Sequence, residues 1–500
     1  MNEPHTIPML LRAAQIDPAR IAIVDTAGDH TYGELLDRSH RVASALLAGR
    51  PDLEGRRVAF LVPSSFDYPS VQWGIWRAGG VAVPLCTLHP PAEWSYVIED
   101  SDAEIVVAHG EFAEKLEPVA KKLGRVFLRC EDMAGHPVAP LPQVEADRAA
   151  MIIYTSGTTS KPKGVVTTHE ILSWQIRSLI EAWEWTSDDR TLLVLPLHHL
   201  HGVLNVLSCA LWAGATCEMA PRFDADETWS VLLSGRLTLF MAVPTVYARL
   251  VKVWEAAPPE KQRAMTEACR RLRLMVCGSA ALPVPTLERW KEISGHTLLE
   301  RYGMTELGMA LSNPLHGERR PGFVGTPLPH VNVRLVDESN RPVPDGTPGQ
   351  IQVSGPTVFR EYWRRPQDTE KAFVDGWFKT GDVAVRENGA YRILGRESVD
   401  IIKTGGYKVS ALEIEDELRH HGAIDQCAVV GVADPEWGER VAAAVVVKPG
   451  ASLDLDSLRA WSKERLAVYK VPSRLLILPE LPRNAMGKVV KPDLAKLFLS

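Results

Sequence analysis

Short apolar runs alternate with helical patterns over roughly residues 30–240 of the chain. A short apolar run bounded by turn residues predicts a buried strand, and apolar positions three and four apart predict a helix. Repeated strand–helix–strand order is typical of parallel sheets covered by helices. The pattern predicts a helix that opens at Thr31–Leu36 and one over Tyr68–Ala78, and strands over Arg57–Val62, Val81–Pro84, Ala103–Ala108, Ala149–Ile153 and Arg273–Cys277.

The pattern changes near residue 330. Val331–Val336 alternates apolar and polar positions, a turn-rich stretch follows over 340–349, and Gln350–Val353 alternates again. This order is typical of antiparallel strands joined by turns.

A last unit begins near Arg396. It contains a hairpin signal, the spacing of a capping box and two more apolar runs. The predicted elements are a hairpin of Val399–Lys403 and Tyr407–Val409 around Thr404–Gly406, a helix capped by Ser410 and Glu413 that runs through His420, and strands over Gln426–Val432 and Val441–Val447.

These patterns predict an α/β protein. Residues 1–395 are predicted to form a large N-terminal domain of mixed, largely parallel sheets covered by helices, with a β subdomain. Residues 396–500 are predicted to form a small α+β C-terminal domain of normal domain size.

Composition excludes several classes of protein. A chain of 500 residues with 45% hydrophobic and 24% charged residues is an ordinary soluble protein of more than one domain. Its net charge of -6 argues against a nucleic-acid partner. The seven cysteines are scattered without a Cys-x-x-Cys pair, which suggests neither a disulfide framework nor a zinc site. Met1–Leu11 lacks the features of a targeting segment and no apolar stretch reaches spanning length, so we expect a cytoplasmic protein without membrane insertion.

The segment Tyr154–Gly164 has the chemistry of a phosphate-binding loop. It follows the predicted buried strand that ends at Ile153 and contains hydroxyls, glycines and two lysines. Hydroxyls and close backbone N–H groups bind phosphate oxygens, and lysines neutralise their charge. It is not a Walker A loop, because no Gly-Lys-Ser/Thr closes it onto a helix. The alternative, a polar hairpin loop, explains the glycines and serines but not both lysines.

Other short segments have chemistry that is weak when each is taken alone. Tyr302 can stack on a base, Thr305 can contact phosphate, and Glu306 can hold Mg²⁺. Asp382 can accept two ribose hydroxyls or can equally serve as a turn aspartate. Lys488 suits a polyanion or is a solvated surface lysine.

The order of these segments is more specific than any one of them. The chain contains Thr-Ser-Gly-Thr-Thr-x-x-Pro-Lys-Gly (155–164), Tyr-Gly-Met-Thr-Glu (302–306), Thr-Gly-Asp (380–382), Gly-Arg (395–396) and Pro-Arg-Asn-x-x-Gly-Lys (482–488). In this order they resemble the motifs of the adenylate-forming superfamily, which holds acyl-CoA synthetases, peptide-synthetase adenylation domains and luciferases.

The resemblance implies a two-step reaction with ATP and coenzyme A. In that superfamily a carboxylate attacks the α-phosphate of ATP, and the thiol of CoA then displaces AMP from the acyl-adenylate. It implies Mg²⁺ held by Glu306, and Lys488 as the catalytic cation together with Thr305 and Glu306. The ATP-binding residues it implies are Thr155, Ser156, Gly157, Thr158, Thr159, Lys161, Lys163, Gly278, Ser279, Ala280, Tyr302, Gly303, Thr305, Asp382 and Arg396.

The C-terminal domain of the superfamily rotates between the two steps, so the resemblance implies that the small α+β domain of residues 396–500 is mobile. Because the interval after Arg396 is one residue longer than in many relatives, the hinge is bracketed to Ser398–Asp400. Lys403, Gly405 and Gly406 resemble the strand that lines the CoA tunnel, where glycines leave room for a thin arm. Ser160 departs from the usual glycine of the phosphate loop, and we expect function to be retained.

Runs over 196–202, 243–249, 276–282, 298–310 and 398–411 resemble the malonyl-CoA synthetases. That resemblance implies malonate, and methylmalonate beside it, as the acid. A dicarboxylate needs a buried cation for its second carboxylate, because an unpaired buried charge is costly, and Arg249 is the expected cation since a guanidinium can grip a carboxylate with two hydrogen bonds. The other expected acyl-pocket residues are His199 or His201, Ser279 and Met309, with Arg222 as a further candidate and His198 behind them.

Three alternatives stay open at the sequence level. The chain can be a CoA ligase for another short-chain or aromatic acid, an adenylation protein that loads a carrier, or a nucleotide-binding sensor. The sequence leaves open the preference between malonate and methylmalonate, and also the oligomeric state, monomer or dimer.

Overall fold

The computed structural model describes residues 6–155, 162–404, 407–435, 437–483 and 489–499. Its α-helices are α1 (Pro8–Ala13), α2 (Tyr32–Leu47), α3 (Asp67–Arg77), α4 (Pro91–Asp100), α5 (Gly110–Lys122), α6 (Cys130–Met133), α7 (His169–Trp183), α8 (Cys209–Ala213), α9 (Ala225–Leu233), α10 (Pro244–Ala256), α11 (Pro259–Arg270), α12 (Val284–Ser294), α13 (Pro366–Ala372), α14 (Ala411–Leu418), α15 (Leu455–Lys463) and α16 (Lys491–Leu497). A π-helix covers His201–Ser208, and a 3₁₀ turn covers Val468–Lys470.

The strands follow the same chain order. They are β1 (Ile21–Asp25), β2 (Gly28–Thr31), β3 (Arg57–Leu61), β4 (Val81–Pro84), β5 (Ile105–Ala108), β6 (Val126–Arg129), β7 (Ala149–Thr155), β8 (Lys163–Thr168), β9 (Arg190–Leu193), β10 (Thr216–Met219), β11 (Leu239–Ala242), β12 (Leu274–Cys277), β13 (Leu299–Met304), β14 (Gly308–Ser312), β15 (Thr326–Pro327), β16 (Asn332–Val336), β17 (Gly349–Ser354), β18 (Glu361–Tyr362), β19 (Phe373–Val374), β20 (Trp377–Glu387), β21 (Ala390–Arg396), β22 (Ile401–Thr404), β23 (Tyr407–Ser410), β24 (Ile424–Asp434), β25 (Gly438–Val447) and β26 (Arg474–Ile477).

The chain divides into two compact units. The first unit is Met1–Pro321, Gly325–Asn332 and Val353–Phe378, and the second is Gly322–Val324, Val333–Gln352 and Lys379–Ser500. The predicted domain boundary between residues 395 and 396 falls inside the second unit and stays a prediction.

Two large sheets form the first unit. One has the strand order β15-β14-β13-β12-β11-β9-β10-β1-β2, and the other has the order β18-β8-β7-β4-β3-β5-β6. The inner pairs of both sheets are parallel, while the outer pairs β13–β14 and β7–β8 are antiparallel. The predicted α/β fold of largely parallel sheets with helices is therefore confirmed.

Continuous burial explains why the parallel strands were visible in the sequence. Every residue of β4 and of β5 is buried, as strands covered by helices on both faces require. The helix predicted to open at Thr31 begins there with a complete capping box. In that box Glu34 N donates to Thr31 Oγ1 over 3.1 Å and Thr31 N donates to the Glu34 carboxylate over 2.7 Å.

The second unit contains the predicted hairpin and small α+β fold. Strands β22 and β23 pair antiparallel, with Thr404 opposite Tyr407, inside a sheet of the order β23-β22-β25-β24 with β26 on β25. The predicted capping box is wrong in one half. Glu413 N donates to Ser410 Oγ over 3.2 Å, but the Glu413 carboxylate pairs with Lys470 Nζ at 2.5 Å instead of turning back to the cap.

All seven cysteines are buried free thiols. Among the helices that the structure describes, none has both the length and the apolar character needed to cross a membrane.

Candidate active site

The candidate residues of the first unit lie at the carboxyl ends of neighbouring parallel strands. In this sheet Ala242 of β11 lies opposite Cys277 of β12, and Cys277 lies opposite Glu300 of β13. The segments that leave these ends are therefore adjacent, and ligands of open α/β sheets bind at such ends. His199 and His201 follow β9, Gly278–Ala280 follows β12, and Tyr302–Glu306 closes β13.

Ser279 is the centre of a short polar chain. Its Oγ lies 3.2 Å from His201 Nδ1 and accepts a hydrogen bond from Arg301 Nη2 over 3.2 Å. Ser279 has a φ of 69°, a left-handed conformation that is uncommon for a residue with a side chain. Such strain is typical of functional positions, and it turns a solvent-exposed hydroxyl toward two buried groups.

Arg301 is a buried cation without an acidic partner in the described chain. Its side chain is 4% exposed, and its Nε has no acceptor among the described residues. Burial lowers the pKa of Arg301 to about 10, so the guanidinium is still charged near neutrality. Burial also lowers the pKa of His201 well below its usual value, and the Arg301 cation adds to that effect. Ser279 therefore links a charged guanidinium, that of Arg301, to a neutral imidazole, that of His201.

Arg301 was missed as a functional residue in the sequence, although it lies directly before the motif over 302–306. In the sequence Arg301 comes two positions after the apolar pair Leu298–Leu299, but only the structure shows that the first three residues of β13 are buried. A charge at a buried strand position needs a compensating group, and this is what singles out Arg301 in the structure.

A π-helix presents His201. It spans His201–Ser208, where the backbone is wider than in an α-helix, and π-turns are frequent at functional sites. Asn205 on this helix is fully buried, and neither polar atom of its side chain has a partner among the described residues. The segment after β9 thus contains buried polar side chains, His201 and Asn205, which a core built only for packing would not need.

The hairpin of β13 and β14 holds the predicted adenine and metal residues. Tyr302 and Gly303 are half-buried at the end of β13, and Thr305 and Glu306 form the turn. Tyr362 donates its hydroxyl hydrogen to Glu306 Oε1 over 2.9 Å, and Glu306 is only 6% exposed. A carboxylate fixed in this way is the type of donor that Mg²⁺ prefers.

Gly303 allows the two strands of this hairpin to approach closely. A Cβ at this position would lie 2.2 Å from the backbone oxygen of Gly308 and 2.7 Å from Met309 Sδ. Met309, a predicted acyl-pocket residue, is therefore packed against the backbone of the predicted nucleotide-binding strand.

The strands on both sides of the predicted phosphate loop are described. Thr155 ends β7 opposite Lys163, the first residue of β8, in an antiparallel pair. Lys163 Nζ lies 2.8 Å from Asp368 Oδ2 and 5.3 Å from the ring centre of Tyr362. The remaining loop residues lie outside the described residues; these are Ser156, Gly157, Thr158, Thr159, Ser160 and Lys161.

In the second unit the structure brings Asp382 and Arg396 together. They lie opposite each other on β20 and β21, and Arg396 Nε donates to Asp382 Oδ1 over 2.9 Å. Asp400, at the end of the predicted hinge bracket, accepts the Arg396 backbone N–H over 3.0 Å. Lys491 Nζ is 2.5 Å from Asp400 Oδ1 and 2.7 Å from Glu415 Oε1.

The other predicted residues are less constrained. Arg249 is an exposed residue of α10, with its guanidinium carbon 4.9 Å from the ring centre of Phe223. His199 is half-buried, with its ring 4.0 Å from that of His198. Arg222, Ala280 and Lys403 are exposed, while Gly405, Gly406 and Lys488 lie outside the described residues.

Comparison with known families matches two models in chain order. The AMP-binding enzyme model matches residues 10–363, and the AMP-binding enzyme C-terminal domain model matches residues 413–488.

Curated relatives and solved structures cover nearly the same length. The mitochondrial malonate–CoA ligase ACSF3 of Mus musculus is 48% identical over 534 residues, covering 99% of this chain and 91% of the relative. A malonate–CoA ligase of Arabidopsis thaliana is 40% identical and covers 95% of this chain and 86% of the relative. The crystal structure of ATP-bound MatB from Rhodopseudomonas palustris has a TM-score of 0.91 at 35% identity and covers 98% of this chain and 99% of that one. The predicted adenylate-forming superfamily is confirmed, and the chain belongs to the AMP-binding enzyme family.

Proposed function

We propose that this protein is an ATP-dependent malonate–CoA ligase that also accepts methylmalonate. Malonate attacks the α-phosphate of ATP to give malonyl-adenylate and pyrophosphate, and the CoA thiol then displaces AMP to give malonyl-CoA. The predicted enzyme class, an AMP-forming acid–CoA ligase, is confirmed by the family and by relatives named malonate–CoA ligases.

The observation that supports a dicarboxylate is the buried guanidinium of Arg301. A buried charge without a partner destabilises a protein by several kcal/mol, in order of magnitude. A second carboxylate on the substrate would supply the missing anion and accept two parallel hydrogen bonds. Ser279, which already bonds to Arg301, would add a hydroxyl donor. A simple fatty acid has no group that needs this cation.

We propose Arg301 as the residue that binds the second carboxylate, beside the sequence prediction of Arg249. The two arginines differ in their surroundings. Arg301 is buried and bonded to Ser279, whereas Arg249 is exposed and stacks on Phe223. Desolvation strengthens a charge interaction, which favours Arg301.

The roles of the nucleotide groups are proposed from the family motifs. Glu306 would hold the Mg²⁺ that accompanies ATP, Tyr302 would stack on adenine, and Asp382 with Arg396 would bind the ribose. Lys163 is 2.8 Å from Asp368, so phosphate would compete with this carboxylate for the lysine. CoA would pass Lys403 and the glycines after it.

Lys488 is proposed as the cation of the first step. Malonate and the α-phosphate are both anions, so a positive charge aimed at the transition state is needed to bring them to reacting distance. The second step begins from malonyl-adenylate, in which that repulsion has already been overcome.

A panel of acids tests the substrate. Pyrophosphate release and CoA-thioester formation are measured with malonate, methylmalonate, acetate, propionate and monomethyl malonate, which has malonate's carbon chain with one carboxylate masked. We expect malonate and methylmalonate to be turned over well and monomethyl malonate to be poor. Equal turnover of malonate and its monoester would contradict a site built for a second carboxylate.

The same assay separates the rival functions. Preference for acetate, propionate or an aromatic acid would favour another CoA ligase. Pyrophosphate release without a thioester on free CoA would favour a carrier-loading adenylation protein. The cytoplasmic location stays a prediction, and the mitochondrial relatives make a mitochondrial location the alternative.

A further inference from the structure

A cluster of metal-ligating side chains lies at Cys86, His89 and His198. One ligand atom from each of these three residues lies within 4.8 Å of the others. Cys86 is buried, and the two histidines are half-buried. The proposed reaction gives no role to Cys86 or His89.

A tight turn after β4 positions two of the three side chains. Cys86 and His89 are separated by two residues, and His89 N donates to Cys86 O over 3.2 Å. The indole of the buried Trp94 donates to the same carbonyl over 2.8 Å. These two hydrogen bonds to the Cys86 carbonyl fix the turn that brings Cys86 and His89 together.

Glu93 orients His89. His89 Nδ1 lies 2.9 Å from Glu93 Oε2, one helical turn along the chain. A metal-binding histidine usually gives its other ring nitrogen to a carboxylate, which fixes the ring and raises its basicity. This pairing leaves Nε2 of His89 as the nitrogen for a metal.

The third side chain comes from the other sheet of the first unit. His198 follows β9 of the nine-stranded sheet, whereas Cys86 and His89 follow β4 of the seven-stranded sheet. The ring of His198 lies 5.8 Å from that of His89 and 4.0 Å from that of His199. A metal bound here would tie the ends of two sheets together.

We propose that Cys86, His89 and His198 bind a zinc ion, with Glu93 as the orienting carboxylate of His89. One thiolate and two imidazoles are a donor set that suits Zn²⁺, whereas Mg²⁺ selects oxygen donors. The site is therefore distinct from the Mg²⁺–ATP site. Binding would release the thiol proton to solvent and leave a fourth position for water. In the sequence, the absence of a Cys-x-x-Cys pair argued against a zinc site. The signal that was missed is the Cys-x-x-His spacing of Cys86 and His89.

Metal binding to the full-length protein tests the site. The protein is stripped with chelator, dialysed against Zn²⁺ alone and assayed for bound metal, and a parallel sample is titrated with Co²⁺. We expect one zinc per chain and, with cobalt, a thiolate-to-metal charge-transfer band with the visible bands of a tetrahedral site. Cys86→Ser, His89→Gln and His198→Gln should each lose the stoichiometric zinc, and Glu93→Gln should weaken binding by about 10–100-fold.

Matched variants separate this site from adventitious binding. Cys427→Ser removes an equally buried thiol, and His330→Gln removes a histidine paired with a carboxylate; both should keep the zinc. Melting of the metal-free variants shows whether they fold. No bound zinc in the wild type would overturn the proposal, and so would a cobalt complex without a thiolate band. Folded Cys86→Ser with wild-type zinc binding would also overturn it.

Discussion

Two arginines of equal charge differ in what their surroundings allow them to do. The guanidinium of Arg249 lies in water over Phe223, where the surrounding dielectric weakens any ion pair. That of Arg301 is buried and bonded to Ser279. An anion that reaches Arg301 replaces an unfavourable buried charge with a pair, so binding energy is concentrated at that residue.

Replacing Arg301 should therefore affect malonate selectively. In Arg301→Met we expect kcat/KM for malonate to fall by about thirtyfold or more, corresponding to a loss of ~2 kcal/mol or more for one partner of a buried charge pair. The KM for ATP should change little. Arg301→Lys should restore only part of the activity, because an ammonium lacks the bidentate fork. The measurement is initial-rate kinetics of pyrophosphate release with each substrate varied in turn.

Arg249→Met is the matched comparison. If Arg249→Met abolishes malonate turnover while a folded Arg301→Met retains it, the second carboxylate is bound by Arg249, as the sequence predicted. Comparable losses in both variants would mean that the two arginines share that carboxylate.

At the scale of elements, the β13–β14 hairpin depends on Gly303. An added Cβ would lie 2.2 Å from the Gly308 carbonyl oxygen, so the strands must separate. We expect Gly303→Ala to reduce the free energy of unfolding by about 1–3 kcal/mol, as overpacking does, and to raise the KM for ATP because Tyr302 and Glu306 shift. Urea unfolding and ATP kinetics measure the two effects. Gly135→Ala, with nothing within 4 Å of the new Cβ, should be neutral; an equally neutral Gly303→Ala would contradict the argument.

The local pattern of apolar and polar residues predicted strands and helices better than it predicted contacts between distant residues. Val81–Pro84 was predicted and found as β4, because a wholly buried strand leaves a continuous apolar run. Contacts between distant residues leave no such pattern. Nothing near Lys163 indicates its pairing with Asp368, and nothing near Glu413 indicates Lys470. The charge of Arg301 was visible in the sequence, but its burial became known only from the sheet around β13.

An ion cluster of Lys491, Asp400, Glu415 and Arg419 stabilises the second unit. Lys491 at the start of α16 bonds to Asp400 and to Glu415, and Glu415 also accepts the Val429 N–H over 2.8 Å. Burial lowers the pKa of Lys491, but the two carboxylates raise it by more, and the net shift is upward from 10.5. The stabilisation is then complete below the unfolded pKa of 10.5 and is lost as pH rises through the higher folded value.

We therefore expect Lys491→Met to lower the free energy of unfolding of this unit by about 3–5 kcal/mol near neutral pH, since the half-buried Asp400 loses its lysine and the buried Glu415 keeps only Arg419, at 3.4 Å. The difference in the free energy of unfolding between this variant and the wild type should narrow as pH rises above 10.5. Chemical denaturation at several pH values, followed in the second unit, measures it. Lys496→Met, an exposed lysine of the same helix, should have little effect. If this difference in unfolding free energy stayed constant from about pH 9 to about pH 12, the charge of the Lys491 ammonium would not be what stabilises the unit.

At the scale of the whole molecule, the charges of the reactants determine where cations are needed. Malonate, ATP and the net charge of the chain, -6, are all negative, so cations must be concentrated where the reacting oxygens meet. In the proposed function, Arg301 binds the carboxylate that does not react. The carboxylate that attacks needs a different cation, and the motif over 482–488 supplies Lys488 for that role in the proposed function.

The two half-reactions test this division of charge. In Lys488→Ala we expect adenylation, followed as malonate-dependent pyrophosphate release, to fall by about two orders of magnitude or more, as on removal of one transition-state donor. Thioester formation from supplied malonyl-adenylate and CoA should persist, because its electrophile is already activated. Lys496→Ala should leave both rates unchanged, since this exposed lysine pairs only with its helical neighbour Asp493 among the described residues. If Lys488→Ala lost both half-reactions equally, the lysine would serve binding or folding rather than the first step.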